Sequence, residues 1–273
     1  MTAASAELFD EVAYLFDGTA EGLFSAIFAS YSNRQEPSEV VREADYQPRL
    51  LQQALFIPTS EEHAQRVAAG LKRRLGSYGK WAVLRATCSG RQDAPTIIYR
   101  FVRYAMDRAP QRKRLLDDLG TPEVKALHDL ITSVGAECEK MRQFARFQHL
   151  KDERGEVWFA RVNPRDSVVP LVMGHFVERF SIQPFILYDE GHGVAGIWDG
   201  RHQQLAYVSE PDLTLPNQSA SEVLMEEAWR TFYHSVSISS RYNPELRRRL
   251  MPKRFWKNLT EMQESAPQAL RHG

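Results

Sequence analysis

Residues 185–208, FILYDEGHGVAGIWDGRHQQLAYV, decide how the chain is read. Apolar runs at 185–188, 194–198 and 204–208 alternate with polar breaks that contain Gly191, Gly193 and the pair Asp199-Gly200. Short β-rich runs separated by glycine-bearing turns predict an antiparallel β-meander. The same stretch holds Gly191-His192-Gly193-Val194-Ala195-Gly196, a literal GxGxxG. A dinucleotide fingerprint needs a strand before the glycines, a helix after them and an acidic ribose partner about twenty residues on. Here strand-like residues flank both sides and the nearest acid, Glu210, comes too early, which favours a hairpin turn over a phosphate cradle.

Upstream of the meander, 156–161 (EVWFAR) is strand-like and Pro170 opens a helix to residue 180; downstream, a helix over 221–240 leads into a basic C-terminal segment. At the other end, 12–16 (VAYLF) forms a strand stopped by the turn pair Asp17-Gly18, and Thr19 caps a helix striped by Leu23, Ile27 and Tyr31. Residues 37–49, polar with two prolines, read as a connecting loop before a second strand at 54–57. Thr59 and Glu62 have capping-box spacing and open a helix to about Leu75. From 78 to 149 the pattern is helical throughout. Ile97, Ile98, Phe101, Val102, Ala105 and Met106 share one face, which turns Arg100 and Arg103 to the other. Thr121-Pro122 starts a long helix whose apolar positions run from Leu127 to Ala145. The expected fold is α+β: an N-terminal β-α-β-α portion, a helical middle, and a C-terminal β-α-β-β-β-α portion containing the antiparallel meander. The expected organisation is one domain over 1–258, with lobes 1–115 and 116–258, and a flexible tail over 259–273.

Of the 273 residues 43% are hydrophobic and 26% charged, a globular composition, and 35 basic residues balance 35 acidic ones. Net charge therefore argues for no polyanionic partner, and local charge must. Cys88 and Cys138 are the two cysteines and no CxxC occurs, which disfavours a disulfide scaffold or a thiolate metal site. No metal and no cofactor are expected. Without a charge-free apolar run of about 18 residues or a leader-like N-terminus, the expectation is a cytoplasmic protein with no membrane contact.

Two basic clusters carry more information. Between Arg241 and Lys257, seven basic residues (Arg241, Arg247, Arg248, Arg249, Lys253, Arg254, Lys257) face one acid, Glu245, with Tyr242, Phe255 and Trp256 interleaved. Between Tyr99 and Arg114, six basic residues face Asp107 alone. A weaker stripe, Arg142, Arg146 and His149, lies at i, i+4 and i+7 of the long helix. Cations gathered on one surface bind phosphates, and flat rings stack on unpaired bases for about 1–3 kcal/mol each. The competing reading is solvated or internally paired charge. His175 and Glu178, at i and i+3 of a helix, together with Asp189 and His192, are the acid/base candidates, with a plain helix-surface or core pair as the alternative for the first two. Ser77-Tyr78-Gly79-Lys80 fits SxxK with no companion motif and is set aside.

With these residues in view, the chain resembles a bacterial family described as DNA metabolism or repair proteins, formally a domain of unknown function. The likeness lies in 14–31 (YLFDGTAEGLFSAIFASY), 147–180, 184–190 (PFILYDE) with 197–200 (IWDG), and 229–261, where Arg241, Asn243, Met251-Pro252, Trp256 and Leu259 follow in order. The resemblance implies a role beside a radical S-adenosylmethionine (radical SAM) protein acting on DNA, and some members are fused to a uracil-DNA-glycosylase-like domain. The family tends to have a basic residue after PFILYDE, where this chain has Gly191-His192-Gly193. The combined expectation is a DNA-binding accessory protein without catalysis of its own. Arg241, Arg247, Arg248, Lys253 and Lys257 contact phosphates and Arg100, Arg103, Arg142 and Arg146 extend the track. Tyr242 and Trp256 stack on bases or close the core beside them. Alternatives are an enzyme acting on a nucleic-acid base or nucleotide, and a protein–protein adaptor.

Overall fold

The computed structural model of the chain describes residues 11–108, 115–153, 155–208, 219–236 and 244–262. It is an α+β fold that divides into two compact units, Met1–Gly135 and Ala136–Gly273.

In the first unit, β1 (Glu11–Phe16) lies at the centre of a three-stranded parallel sheet, between β2 (Glu39–Arg42) and β3 (Gln52–Phe56). The chain leaves β1 through Asp17-Gly18, where Gly18 takes a left-handed φ of 88°. Asp17 Oδ1 accepts the Thr19 amide at 2.9 Å, and the Thr19 hydroxyl accepts the Gly22 amide at 2.9 Å, capping α1 (Ala20–Ser32) as the sequence predicts. The other Asp17 oxygen accepts the Thr59 hydroxyl at 2.7 Å, tying this turn to the start of α2 (Glu61–Thr87). Burial raises the Asp17 pKa, but these hydrogen bonds outweigh it and leave the carboxyl below its ordinary value. Leu23, Phe24 and Ile27 of α1 pack with Tyr14 and Phe16 of β1 and with Leu71, Ile98 and Phe101 from α2 and α3 (Ala94–Arg103). Each such side chain contributes about 1.5–3 kcal/mol on burial.

Two expectations are corrected here and one is met. The stretch 37–49 is not loop throughout: β2 forms with only Val40 and Val41 buried, too short an apolar run to stand out between charged residues. The helix expected to end near Leu75 does break there: Gly76, with φ and ψ of 74° and 179°, interrupts the helical path, and a second helical segment, counted here with the first as α2, runs on to Thr87. The helical middle also ends earlier than expected. α4 (Pro122–Phe144) stops at Phe144, and Gln148 already begins β4 (Gln148–Asp152), an edge strand with a single buried apolar residue, Leu150. Arg142, Arg146 and His149 therefore do not form one helix face.

The second unit holds a five-stranded mixed sheet ordered β4-β5-β6-β7-β8. β5 (Gly155–Val162) and β6 (Phe185–Asp189) are parallel, connected by α5 (Val169–Phe180); β7 (Val194–Trp198) and β8 (Gln203–Tyr207) complete the predicted antiparallel meander. The GxGxxG segment is accordingly the β6–β7 hairpin turn, running into a strand. Alternation divides the sheet: Phe185 and Leu187 are buried toward α5 with Val172, Met173 and Phe176, while Leu150, Phe159, Tyr188 and Ala195 cluster on the other face. Gly196 allows the close approach of α5, since a Cβ there would meet Met173 Sδ at 2.2 Å. α6 (Ala220–Val236), α7 (Pro244–Leu250) and 3-10 turns at Lys253–Asn258 and Thr260–Met262 follow, with Phe255 and Leu259 buried.

Candidate functional site

The basic C-terminal segment is fastened by a residue absent from the sequence-based candidates. Glu137 of α4 is fully buried. Both its oxygens accept from the Arg254 guanidinium at 2.6 Å, Oε1 also accepts the Arg165 backbone amide at 2.8 Å, and Oε2 accepts from Lys140 Nζ at 3.4 Å. Burial alone would raise this carboxyl, but the Arg165 amide, Arg254 and Lys140 together hold it below its usual value. Phe255 completes the anchor, its ring 5.5 Å from that of Phe144. A buried carboxylate in a bidentate arginine fork fixes orientation as well as position. The turn carrying Lys253 and Lys257 is thus held in one place.

Trp256 is half-buried, donates from Nε1 to the Met251 carbonyl at 3.0 Å, and has Arg247 and Lys253 at 4.9 and 6.0 Å from its ring. Cations resting against an indole gain from its quadrupole and are positioned by it. Arg248 and Arg249 project into solvent from α7; among the described residues no carboxylate pairs with them or with Lys253. Lys257 pairs with Glu190, which also lies 3.7 Å from Arg161. Arg142 pairs with Glu139 at 2.5 Å and Arg146 sits 5.7 Å from the Trp229 ring. In the first unit Arg100 donates to the Ser38 carbonyl at 3.2 Å, while Arg103 is engaged by Glu36 at 2.7 Å and Asp107 at 2.9 Å. Arg241 and Tyr242 lie outside the described residues.

Of the acid/base candidates, the structure joins one pair. Asp189, fully buried at the carboxyl end of β6, accepts the Gly191 and His192 amides on Oδ1 at 3.1 and 3.2 Å and lies 2.7 Å from His192 Nδ1 through Oδ2. With an ionised Asp189 the imidazole must donate from Nδ1, leaving Nε2 to accept a proton. His175 and Glu178 sit on helix α5 instead. α5 runs from the carboxyl end of β5 back toward the amino end of β6, so these residues, midway and near its end, are not brought to Asp189. His175 instead packs edge-on against Phe176 at 5.2 Å. Among the described residues no group of three His, Cys, Asp or Glu side chains could hold a metal ion, and no helix is long and apolar enough to cross a membrane.

Glu137 was legible in principle. It falls between Val134, Cys138 and Met141 on the apolar stripe of α4, and a carboxylate there demands a buried partner. The partner itself, 117 residues away, carries no local signal.

A family described as a domain of unknown function (DUF4130) matches residues 92–261, a span that includes Glu137, the Asp189–His192 pair and the basic C-terminal segment. No curated protein matches the chain.

Proposed function

The chain belongs to the DUF4130 family, and from that premise we propose that it is a DNA-binding accessory protein of DNA repair or modification, acting beside a radical SAM protein. One observation carries this reading: Arg248, Arg249 and Lys253 stand without carboxylate partners among the described residues, on a segment that Arg254 locks to the buried Glu137. Guanidinium groups on α7 and an ammonium on the anchored turn that follows it, none with a carboxylate partner, are what phosphate contact requires, and an anchored mount reduces the ordering cost of binding. The radical SAM partner rests on the resemblance alone and would supply the chemistry, with this chain contributing DNA affinity and no cofactor.

The test is fluorescence anisotropy of labelled DNA across ionic strengths. Each neutralised phosphate steepens the logarithmic salt dependence by about 0.9 on duplex DNA, so an Arg247/Arg248/Lys253 triple-alanine variant is expected to lose roughly two to three units of slope. Binding that is absent or indifferent to salt, or unchanged in that variant, overturns the reading. Binding to the partner protein without DNA affinity in the isolated chain would favour an adaptor instead.

A second reading, an enzyme acting on a nucleic-acid base or nucleotide, is favoured by the Asp189–His192 pair, which has the orientation of an acid/base dyad. Turnover of an oligonucleotide lost with His192→Ala and kept with His175→Ala would support it; equal turnover in both variants would dismiss it.

A further inference from the structure

The first unit holds an aromatic and cationic surface unused by the reading above. Between Glu62 and Asp93 the chain has seven Lys or Arg residues and no Asp or Glu, a longer acid-free stretch than either basic cluster singled out from the sequence. Three of the seven are committed to structure: Arg66 to Glu62, Arg74 to the Ala105 carbonyl, and Arg91 to Asp93. Lys72 and Arg73 are exposed, and among the described residues no carboxylate pairs with them. Just beyond them α2 kinks at Gly76, and the continuing helix presents Tyr78 and Trp81, 73% and 46% exposed. Their rings are stacked at 6.4 Å and 27°, and the Arg85 guanidinium lies 5.2 Å from the Trp81 ring. Beside Tyr78 a pocket of about 360 Å³ opens between α2, the 3-10 turn at Leu115–Asp117 and α4. Ala82, Leu116, Val124 and Ile131 make its apolar walls, and Asp117 and His128 are polar groups in its lining.

These features call for a ligand that is flat, apolar on its faces, polar at its edge and attached to negative charge. A pocket of this size lies within the range of small-ligand sites, and exposed rings beside unpaired cations are the elements of a stacking platform. An apolar peptide would use the rings and the pocket but would leave the acid-free cationic run without purpose. We infer that this surface seats single-stranded DNA: Tyr78 and Trp81 stack on unpaired bases, one base enters the pocket, and Lys72 and Arg73 contact the flanking phosphates. The inference rests on the DNA-binding reading and narrows it to unpaired strands held by the first unit.

The experiment uses the full chain with a labelled oligothymidylate of about 12 nucleotides and a blunt duplex of equal length. Tyr78→Ala/Trp81→Ala is expected to weaken single-strand binding about thirtyfold or more while changing duplex affinity less than about threefold. Tyr78→Phe/Trp81→Phe, which keeps the flat faces, is expected to stay within about threefold of the parent on both. The Arg247/Arg248/Lys253 triple-alanine variant keeps the dependence of single-strand binding on the two rings. Both ring positions are exposed, so an unchanged melting temperature accompanies these changes. Equal loss on single strand and duplex, or no loss on either, overturns the platform while leaving DNA binding intact. A parent chain that binds neither DNA overturns both.

Discussion

The two turns of the meander contain the same device in different surroundings. In the β6–β7 turn Asp189 accepts the amides two and three residues ahead and meets His192 Nδ1 at 2.7 Å; in the β7–β8 turn Asp199 accepts the Arg201 and His202 amides at 2.7 and 2.6 Å and lies 3.5 Å from His202 Nδ1. Asp189 is fully buried, whereas the Asp199 and His202 side chains are 55% and 75% exposed. Capping a turn needs only an aspartate and two free amides, and the outer turn manages it in water. What the inner turn adds is confinement: Asn163 packs over Gly191, and the adjoining Glu190 engages Arg161 and Lys257. The Asp-x-x-His pattern is thus local turn chemistry in both places, and only the surroundings of the inner copy make it a candidate for proton transfer.

Substitutions can break this contrast. The largest effect is expected at Glu137, a buried carboxylate held by Arg254, Lys140 and the Arg165 amide. Removing one side of a buried pair costs about 3–5 kcal/mol, and Arg254, partly exposed, can recover some hydration, so Glu137→Ala should cost about 3 kcal/mol in urea unfolding. Asp189→Ala should follow at about 2 kcal/mol, with two amides and an imidazole left unpaired. Asp199→Ala, rehydrated at once, should shift the midpoint by a small fraction of that. Equal costs for the two aspartates would erase the distinction between the turns.

The glycines should rank the opposite way. Gly200 has a φ of 92°, and a Cβ on it would meet the Ile182 carbonyl oxygen at 2.5 Å; Gly200→Ala should cost about 2 kcal/mol. At Gly191 the obstacle is the Asn163 side chain at 2.8 Å, which can rotate, so Gly191→Ala should cost about 1 kcal/mol or less. Thermal unfolding of both variants checks the order.

Acid titration gives the smallest and most site-specific effect. The His202 and Arg201 amides depress the Asp199 carboxyl, as Arg165, Arg254 and Lys140 outweigh burial at Glu137. Both groups hold the proton more weakly when folded than unfolded. Their stabilisation is therefore complete above the unfolded pKa and lost as pH falls through the folded one. Carboxyl titration by NMR should find both below their ordinary values of 3.8 and 4.5. An ordinary or elevated Glu137 would contradict the anchor.

Elements with local punctuation were readable from the chain: Asp17-Gly18-Thr19 ends β1 and caps α1, Pro122 opens α4, and Asp199-Gly200 turns the meander. β2 and β4 were not, because each borrows its stability from a neighbouring strand and buries at most two apolar side chains of its own. At the candidate site the same division holds. His192 lies three residues from Asp189 and could be paired with it on sequence, whereas the fork between Arg254 and Glu137 depends on tertiary packing that no short window contains.

That fork also orders events in time. It joins positions 117 residues apart, and closing so long a loop carries an entropic charge that grows with the logarithm of its length. A ribosome releases the glutamate long before the arginine, so until residue 254 is made the carboxylate has only the Lys140 ammonium and then the Arg165 amide to offset its burial. Docking of the last basic turn is then a late step of maturation, and a transcript truncated before codon 254 would yield a chain whose Glu137 lacks its guanidinium partner.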